Sequence, residues 1–236
     1  IMGLAHSPKI ITDGLVLCLD AADPKSYSGS GTTWTDRSGS DYNGTLLNGA
    51  AFNSTDKTIE LDGTDEGIDL GSDITIKTSG GWTVDSWVKY DNVPAGYNNT
   101  TSPGNFIGAE SISYNSWYWS VLSSKLALWN MSPGTWRYGS TTIQANTWYN
   151  AVLVCQDSGT SYQMYLNGVA EGGTHTTYAS WSASHSGLKI RYIGRGKSSI
   201  PRQVDGAFAT TRVYNRVLTA EEIAQNFNAT RDRFGV

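Results

Sequence analysis

The sequence has few cysteines, few charges and no long apolar run. Two cysteines, Cys18 and Cys155, are too few for a disulfide framework, and both lie in apolar, strand-like patterns that suit buried thiols. Charged residues make up 16% of the chain and the net charge is −4, so there is no basic footprint for nucleic acid. The apolar run at residues 15–19 is too short to span a membrane. We therefore expect neither nucleic-acid binding nor membrane insertion.

Motifs for most catalytic chemistries are also missing. The three histidines, His6, His175 and His185, do not have metal-ligand spacing. The sequence contains no Gly-x-Ser-x-Gly nucleophile elbow and no phosphate-binding glycine loop. Hydrolases of these classes are therefore not indicated.

A glycoside hydrolase would need two carboxylates that face one cleft, about 5 Å apart in a retaining enzyme. Glu60 and Asp62 are the only acidic residues that alternate along a predicted strand, and Gly63 places Asp62 at a turn. Asp85 has no alternating acidic partner. We predict that the protein is not an enzyme, with a glycoside hydrolase as a remote alternative.

Glycine and aromatic residues, in contrast, are abundant and favour a turn-rich β protein. The chain has 26 Gly, 9 Trp and 13 Tyr in 236 residues, a length that is routine for one β-sandwich. Residues 81–89 alternate at period two, as a half-buried strand does. Thr219-Ala220-Glu221-Glu222 is a capping box that predicts a helix over residues 219–229. We predict an extended arm at residues 1–12, followed by a single domain at 13–236.

Four segments, in this order, resemble the laminin G-like branch of the concanavalin A-like lectin/glucanase superfamily. They are the strand-end turn at 61–65, the strand at 82–87, the hairpin at 148–168 and the closing strand and helix at 213–223. The resemblance implies an all-β, antiparallel β-sandwich or jelly roll with a short C-terminal helix. It also implies a surface that presents loops and a curved face to glycans or to partner proteins.

The front of the chain is similar to laminin G-like proteins of tailed bacteriophages, of the marine and cyanobacterial kind. The segments that carry this similarity are residues 13–22, 24–27, 31–36 and 43–46. It implies a homo-oligomeric structural protein at the virion surface, a capsid decoration or tail-associated subunit that contacts virion proteins and adheres to cell-surface glycans. The arm favours this role, because assembly proteins often use such extensions. The alternative is a secreted, calcium-assisted carbohydrate-binding lectin module.

Carboxylates near the strand-end turn are candidate calcium ligands. Laminin G-like domains commonly carry a calcium site on such loops, so the resemblance points to Asp62, Asp65 and Asp205. Hard cations prefer carboxylate and carbonyl oxygens of this kind. The alternative is that Asp62 and Asp65 only shape the turn by accepting hydrogen bonds from its backbone.

Aromatic side chains provide the candidate glycan surface, because indole and phenol rings can stack on the C–H faces of sugars. In the sequence, Trp129 lies across a hairpin from two of the candidates. The candidate ligand-binding residues are Trp117, Trp119, Trp136, Tyr138, Tyr97 and Trp181. The alternative is that these rings fill the core of the sandwich, as large aromatic residues commonly do.

Overall fold

The computed structural model describes residues 8–76, 80–94, 104–108, 117–130, 135–156, 161–176, 188–196 and 203–236. Strands dominate this part of the chain, and the helices lie at its C-terminal end. The elements are β1 (Leu15–Asp20), β2 (Thr33–Trp34), β3 (Gly44–Leu47), β4 (Ala51–Asn53), β5 (Thr58–Asp62), β6 (Gly67–Ile76), β7 (Trp82–Tyr90), β8 (Gly104–Gly108), β9 (Trp117–Leu122), β10 (Lys125–Asn130), β11 (Thr135–Tyr138), β12 (Trp148–Cys155), β13 (Ser161–Leu166), β14 (Val169–Thr176), β15 (Leu188–Ile193), β16 (Asp205–Tyr214), α1 (Ala220–Thr230) and a 3-10 helix (Arg231–Phe234).

The strands form two antiparallel sheets that pack face to face. Sheet A has the order β14-β13-β12-β7-β16-β5-β4, with β1 also pairing with β16. Sheet B has the order β11-β10-β9-β8-β15-β6-β3-β2. The predicted hairpin is present as β12 and β13, and Asn167 and Gly168 both have positive φ in the turn that follows. The prediction of an all-β antiparallel sandwich is confirmed.

The core between the sheets is unusually rich in indole rings. Trp82 and Trp117 pack with ring centroids 5.0 Å apart, and Trp119 lies 4.8 Å from Phe106. Trp117 and Trp119 are both 0% exposed. Their indoles are therefore core side chains, which corrects the expectation that they form an exposed glycan surface. The sequence places Trp117 and Trp119 on one face of β9, and in the structure that face points into the core.

Helix α1 covers the outer face of sheet A. Thr219 is its N-cap, and the predicted capping box is present, because Glu222 N donates to Thr219 Oγ1 and Thr219 N donates to Glu222 Oε2. Ile223 is fully buried against residues of β12 and β16. In the following 3-10 helix, Phe234 stacks on Trp87 at 4.0 Å. Of the described helices, none is long and apolar enough to cross a membrane.

A buried polar cluster fixes α1 to the sheet. Asp85 on β7 forms an ion pair with Arg212 on β16, with 3.3 Å between Oδ2 and Nη1, and both residues are at most 2% exposed. The same carboxylate accepts hydrogen bonds from the side-chain amides of Asn150, at 2.7 Å, and of Asn226 on α1, at 3.2 Å. Burial lowers the pKa of Arg212, but the Asp85 carboxylate outweighs it and the pKa is raised. Asp85 is therefore a structural residue that faces the helix.

Residues 8–12, the described part of the predicted arm, lie against α1 of the same chain. Ile11 N donates to Asn226 Oδ1 at 2.8 Å, and the Tyr214 hydroxyl donates to Ile11 O at 3.1 Å. The Gln225 side-chain amide donates to Lys9 O at 2.7 Å. These contacts join the segment before β1 to the same buried cluster that holds the helix. Elsewhere in the core, Cys18 and Cys155 are free and buried.

Candidate functional site

Helix α1 and the segment at residues 8–12 both pack on the outer face of sheet A, so neither of them covers the outer face of sheet B. On β10, Leu126 and Leu128 belong to the core between the sheets. Because side chains alternate along a strand, Lys125, Ala127 and Trp129 face outward. Of these three residues, Lys125 and Trp129 are half-buried and Ala127 is fully buried, so β10 offers surface there only through the lysine and the tryptophan.

Strand β11 extends this outward row with two more rings. Trp136 pairs with Trp129 across the strands, and Tyr138 pairs with Ala127. The ring centroids of Trp129 and Trp136 are 5.2 Å apart, and their planes are inclined by 46°. Both indoles are half-buried, whereas Tyr138 is 39% exposed. We call Trp129, Trp136 and Tyr138 the aromatic platform.

Polar contacts beneath the platform hold β11, an edge strand, in place. Arg137 alternates to the opposite side from the platform rings and hydrogen-bonds Tyr162 on β13 of sheet A. Burial raises the pKa of Tyr162 to about 12, although the Arg137 guanidinium acts against this shift. The phenol is therefore neutral at physiological pH, and it ties the edge of sheet B to sheet A.

Glu171 on β14 makes a second connection between the sheets at the same edge. Its carboxylate accepts hydrogen bonds from the backbone N–H groups of Ser140 and Thr141, both at 2.8 Å, and from the Thr141 hydroxyl at 2.6 Å. Burial by itself would raise the pKa of Glu171, but the donors on Thr141 and Ser140 outweigh it and the pKa is lowered. A ring that is held on a fixed strand loses little conformational freedom when a ligand stacks on it.

The predicted ligand-binding residues are thus only partly brought together. Trp136 and Tyr138 lie in the platform. Trp129, which the hairpin pattern placed across from Trp117 and Trp119, pairs instead with Trp136 and completes the platform. Tyr97 and Trp181 lie outside the described residues. Lys125 was not predicted as part of the surface, although the alternation that places Trp129 outward on β10 places Lys125 on the same side.

The predicted calcium ligands lie at the ends of β5 and β16, away from the platform strands. Asp62 and Asp205 are cross-strand partners, and Asp62 Oδ1 accepts a hydrogen bond from Thr64 N at 2.8 Å within its own turn. Asp205 accepts a hydrogen bond from the Asn92 side-chain amide. Asp65 contributes its backbone carbonyl to Arg195 at 3.1 Å. The turn-shaping interpretation therefore has direct hydrogen-bond support for Asp62.

Asp62 also shares a hydrogen bond with Glu66, and the pKa values of the two carboxyl groups are shifted in opposite directions. The contact with Glu66 lowers the pKa of Asp62, whereas burial and the contact with Asp62 raise the pKa of Glu66. Within the described ranges, no three His, Cys, Asp or Glu side chains are grouped closely enough to hold a metal ion. Asp62, Asp65 and Asp205 do not form a ready-made coordination set there, and calcium binding stays a prediction.

A separate pocket of about 260 Å³ opens at one end of the sandwich. Its apolar lining comes from Val16, Ile74, Trp82 and Val213, and the polar groups come from Ser40, Tyr42, Thr75, Tyr214 and Asn215. Among the described residues, no charged side chain lines it. The pocket suits a small group with both apolar and polar parts. It is distinct from the platform, which lies on an outer face.

Two packed antiparallel sheets with a helix on one and an aromatic surface on the other define a lectin-like β-sandwich. Residues 62–224 match the laminin G family model described as the concanavalin A-like lectin/glucanases superfamily. This match covers more than half of the chain, so the protein belongs to that superfamily. A search of curated proteins found no match.

Solved structures share the fold at low sequence identity. The sialidase of Trypanosoma rangeli matches with a TM-score of 0.64 and 17% identity, over 93% of this chain and 33% of that one. Domain 4 of AbnA, an extracellular arabinanase from Geobacillus stearothermophilus in complex with arabinotriose, matches with a TM-score of 0.63 and 20% identity, over 90% and 97% of the two chains. The binding domain of botulinum neurotoxin serotype D/C matches with a TM-score of 0.64 and 13% identity, over 92% and 52%. The chain spans about a third of the length of the sialidase, and the likeness confirms the predicted concanavalin A-like fold.

Proposed function

We propose that the protein is a non-catalytic carbohydrate-binding domain and that glycans bind on the aromatic platform. The observation that carries this proposal is the grouping of Trp129, Trp136 and Tyr138 on one outer face, at an edge strand that is fixed from beneath. Rings in this arrangement offer apolar faces to the C–H groups of sugars. The arabinanase domain of the same fold was solved with arabinotriose, which supports a glycan as the ligand.

The placement of the acidic residues supports a binding role without hydrolysis. Glu60 accepts a hydrogen bond from the Thr58 hydroxyl, and Asp62 lies at the exposed end of β5. Asp85 is buried and forms an ion pair with Arg212. A glycosidase would need two carboxyl groups that face the same sugar from opposite sides or along one side of a cleft, and these three carboxylates have other partners or positions.

Calorimetric titration with a panel of soluble oligosaccharides tests the proposal. We expect Trp136→Ala and Tyr138→Ala each to weaken binding by about fivefold, since one aromatic contact contributes on the order of 1 kcal/mol. Phe52→Ala is the matched control, because Phe52 is also half-buried and pairs with a ring, Tyr27, at 4.8 Å on the other sheet. Unchanged affinity in both platform variants would place the site elsewhere, and no binding by the wild-type protein would refute a lectin role.

We further propose that the domain is displayed on a virion surface, as a capsid decoration or tail-associated homo-oligomer that contacts other virion proteins. The resemblance of the N-terminal segments to tailed-phage proteins motivates this role, and one structural observation supports it. Lys9 and Ile11 are bound on the sheet A side, opposite the platform. Attachment through residues before Pro8 would leave the platform facing away from the particle. The alternative is a secreted lectin module.

Deletion of residues 1–8 tests the virion role. This deletion retains Ile11 and therefore keeps the partner of Asn226, which a longer deletion through residue 12 would remove. We expect the shortened protein to fold with an unchanged Tm and to lose incorporation into particles. Incorporation at the wild-type level would contradict the proposed anchoring role of the arm.

A further inference from the structure

A lysine stands beside the aromatic platform without an acidic partner in the described part of the chain. Lys125 begins β10, faces outward with Ala127 and Trp129, and is half-buried. Its Nζ donates a hydrogen bond to Ser140 O at 2.7 Å. No Asp or Glu oxygen among the described residues lies within the 4.0 Å that defines an ion pair with this nitrogen.

The neighbouring cations of sheet B are in a different situation. On β15, Lys189 pairs with Asp73 at 2.7 Å and Arg191 pairs with Asp69 at 2.5 Å. Each of these two cations thus has a carboxylate partner, whereas Lys125 has none among the residues that the structure describes. Glu171 is connected to Lys125 only through Ser140 in the described contacts, because its carboxylate accepts hydrogen bonds from the backbone N–H groups of Ser140 and Thr141.

The hydrogen bond to Ser140 holds the ammonium group in place and uses only one of its N–H donors among the described contacts. A lysine ammonium has three N–H donors, and one of them is used here. Along β10, Lys125 is two residues, or about 7 Å, from Ala127, the residue that pairs with Tyr138. One sugar residue stacked on Tyr138 is therefore within reach of the remaining donors.

We infer that the platform selects glycans that carry acidic groups, with a sugar carboxylate or sulfate paired to Lys125 while the ring stacks on Tyr138 or Trp136. This inference rests on the proposed carbohydrate-binding function and specifies its ligand class. A net charge of −4 makes the protein as a whole a poor attractor of polyanions. The selectivity must therefore arise from the short-range contact, and it weakens with salt because the site is partly exposed.

Matched oligosaccharide pairs test the inference directly. The probes are tetrasaccharides of galacturonate, glucuronate and mannuronate, each compared with its carboxyl-reduced neutral form by calorimetric titration at about 0.02 M and about 0.3 M salt. We expect at least one acidic form to bind about tenfold more tightly than its neutral partner at low salt, the size of one charge-assisted hydrogen bond.

Variants separate the charge from the fold. Lys125→Gln keeps a donor for Ser140 and should abolish the preference while it retains binding of the neutral form. Lys125→Arg should retain most of the preference. Lys189→Gln, which removes a cation that already has a carboxylate partner, is the control and should retain all of it.

The outcomes distinguish this inference from the function on which it rests. Equal binding of acidic and neutral forms, with loss in Trp136→Ala, would overturn the acidic selectivity and leave the lectin proposal standing. An acidic preference that persists in Lys125→Gln would also overturn it. Absence of binding to every probe and to the wider oligosaccharide panel would overturn both.

Discussion

Replacement of Asp85 by alanine should be among the most damaging single changes in the domain. The variant leaves Arg212 in a site where it is 2% exposed, with no carboxylate opposite it. It also removes the acceptor of the amide groups of Asn150 and Asn226. Since Asn226 lies on α1, the same change weakens the attachment of the helix to sheet A.

The expected loss is about 3–5 kcal/mol, the usual cost of leaving one buried charge without its partner. In a domain of this length each kcal/mol lowers Tm by roughly 2–4 °C, so we expect a decrease of about 6–20 °C. The double variant Asp85→Leu with Arg212→Met should recover part of this loss, because it removes the unpaired buried charge. It should not recover all of it, because the amides of Asn150 and Asn226 still lose their acceptor. Asp91→Ala, which breaks an ion pair whose acid is 40% exposed, should cost less than about 1 kcal/mol.

Urea unfolding followed by tryptophan fluorescence, with Tm from calorimetry, measures these differences. A loss below about 1 kcal/mol in Asp85→Ala would refute the assignment of a tightly paired buried charge. A double variant that is less stable than the single one would contradict the expected recovery, because it would show that the buried ion pair stabilises the fold more than its apolar replacement does.

Three further predictions concern other parts of the molecule. Glu171→Gln should cost about 2 kcal/mol of unfolding free energy at pH 7. Because folding lowers the pKa of Glu171, the stabilisation is complete above the pKa of the unfolded state, about 4.3, and is lost as the pH falls further. The difference in Tm between the variant and the wild type should therefore shrink toward about pH 3. Gly206→Ala should unfold the domain or cost more than about 3 kcal/mol in urea titrations, because its Cβ would lie 2.0 Å from a backbone oxygen of β7, whereas Gly71→Ala, with nothing within 4 Å, should cost about 1 kcal/mol. If calcium binds, free calcium at about a hundred times its Kd should stabilise the protein by about 2.7 kcal/mol, and a chelator should lower Tm in the wild type but not in Asp62→Asn; an unchanged wild-type Tm would contradict calcium binding.

Much of the fold was predictable because its local patterns agree with its packing. The capping box at Thr219 depends only on nearby residues, and the helix begins where that pattern predicts. The turn at Asn167 and Gly168 needs positive φ at both positions, which asparagine and glycine adopt readily. These features involve short stretches of chain, and so the sequence alone specifies them.

The candidate site was less predictable, because burial depends on which sheet face points inward. Trp117 and Trp129 lie on facing strands of one hairpin and have similar sequence surroundings, yet the first is in the core and the second is on the outer face. Period-two alternation separates inner from outer residues but does not say which set is which. Leu126 and Leu128 resolve the ambiguity for β10 once the second sheet is in place.

If the platform binds glycans as proposed, its position has a consequence for the strength of adhesion. Three rings at one sheet edge form a small contact area, and a single domain can therefore engage one glycan segment at a time. Helix α1 and the segment at residues 8–12 occupy the opposite outer face, so several copies can be fixed side by side through that face while every platform stays accessible. On such a support, the second and later contacts become intramolecular, and avidity can exceed the affinity of one platform by about 10²–10⁴ without any new interaction.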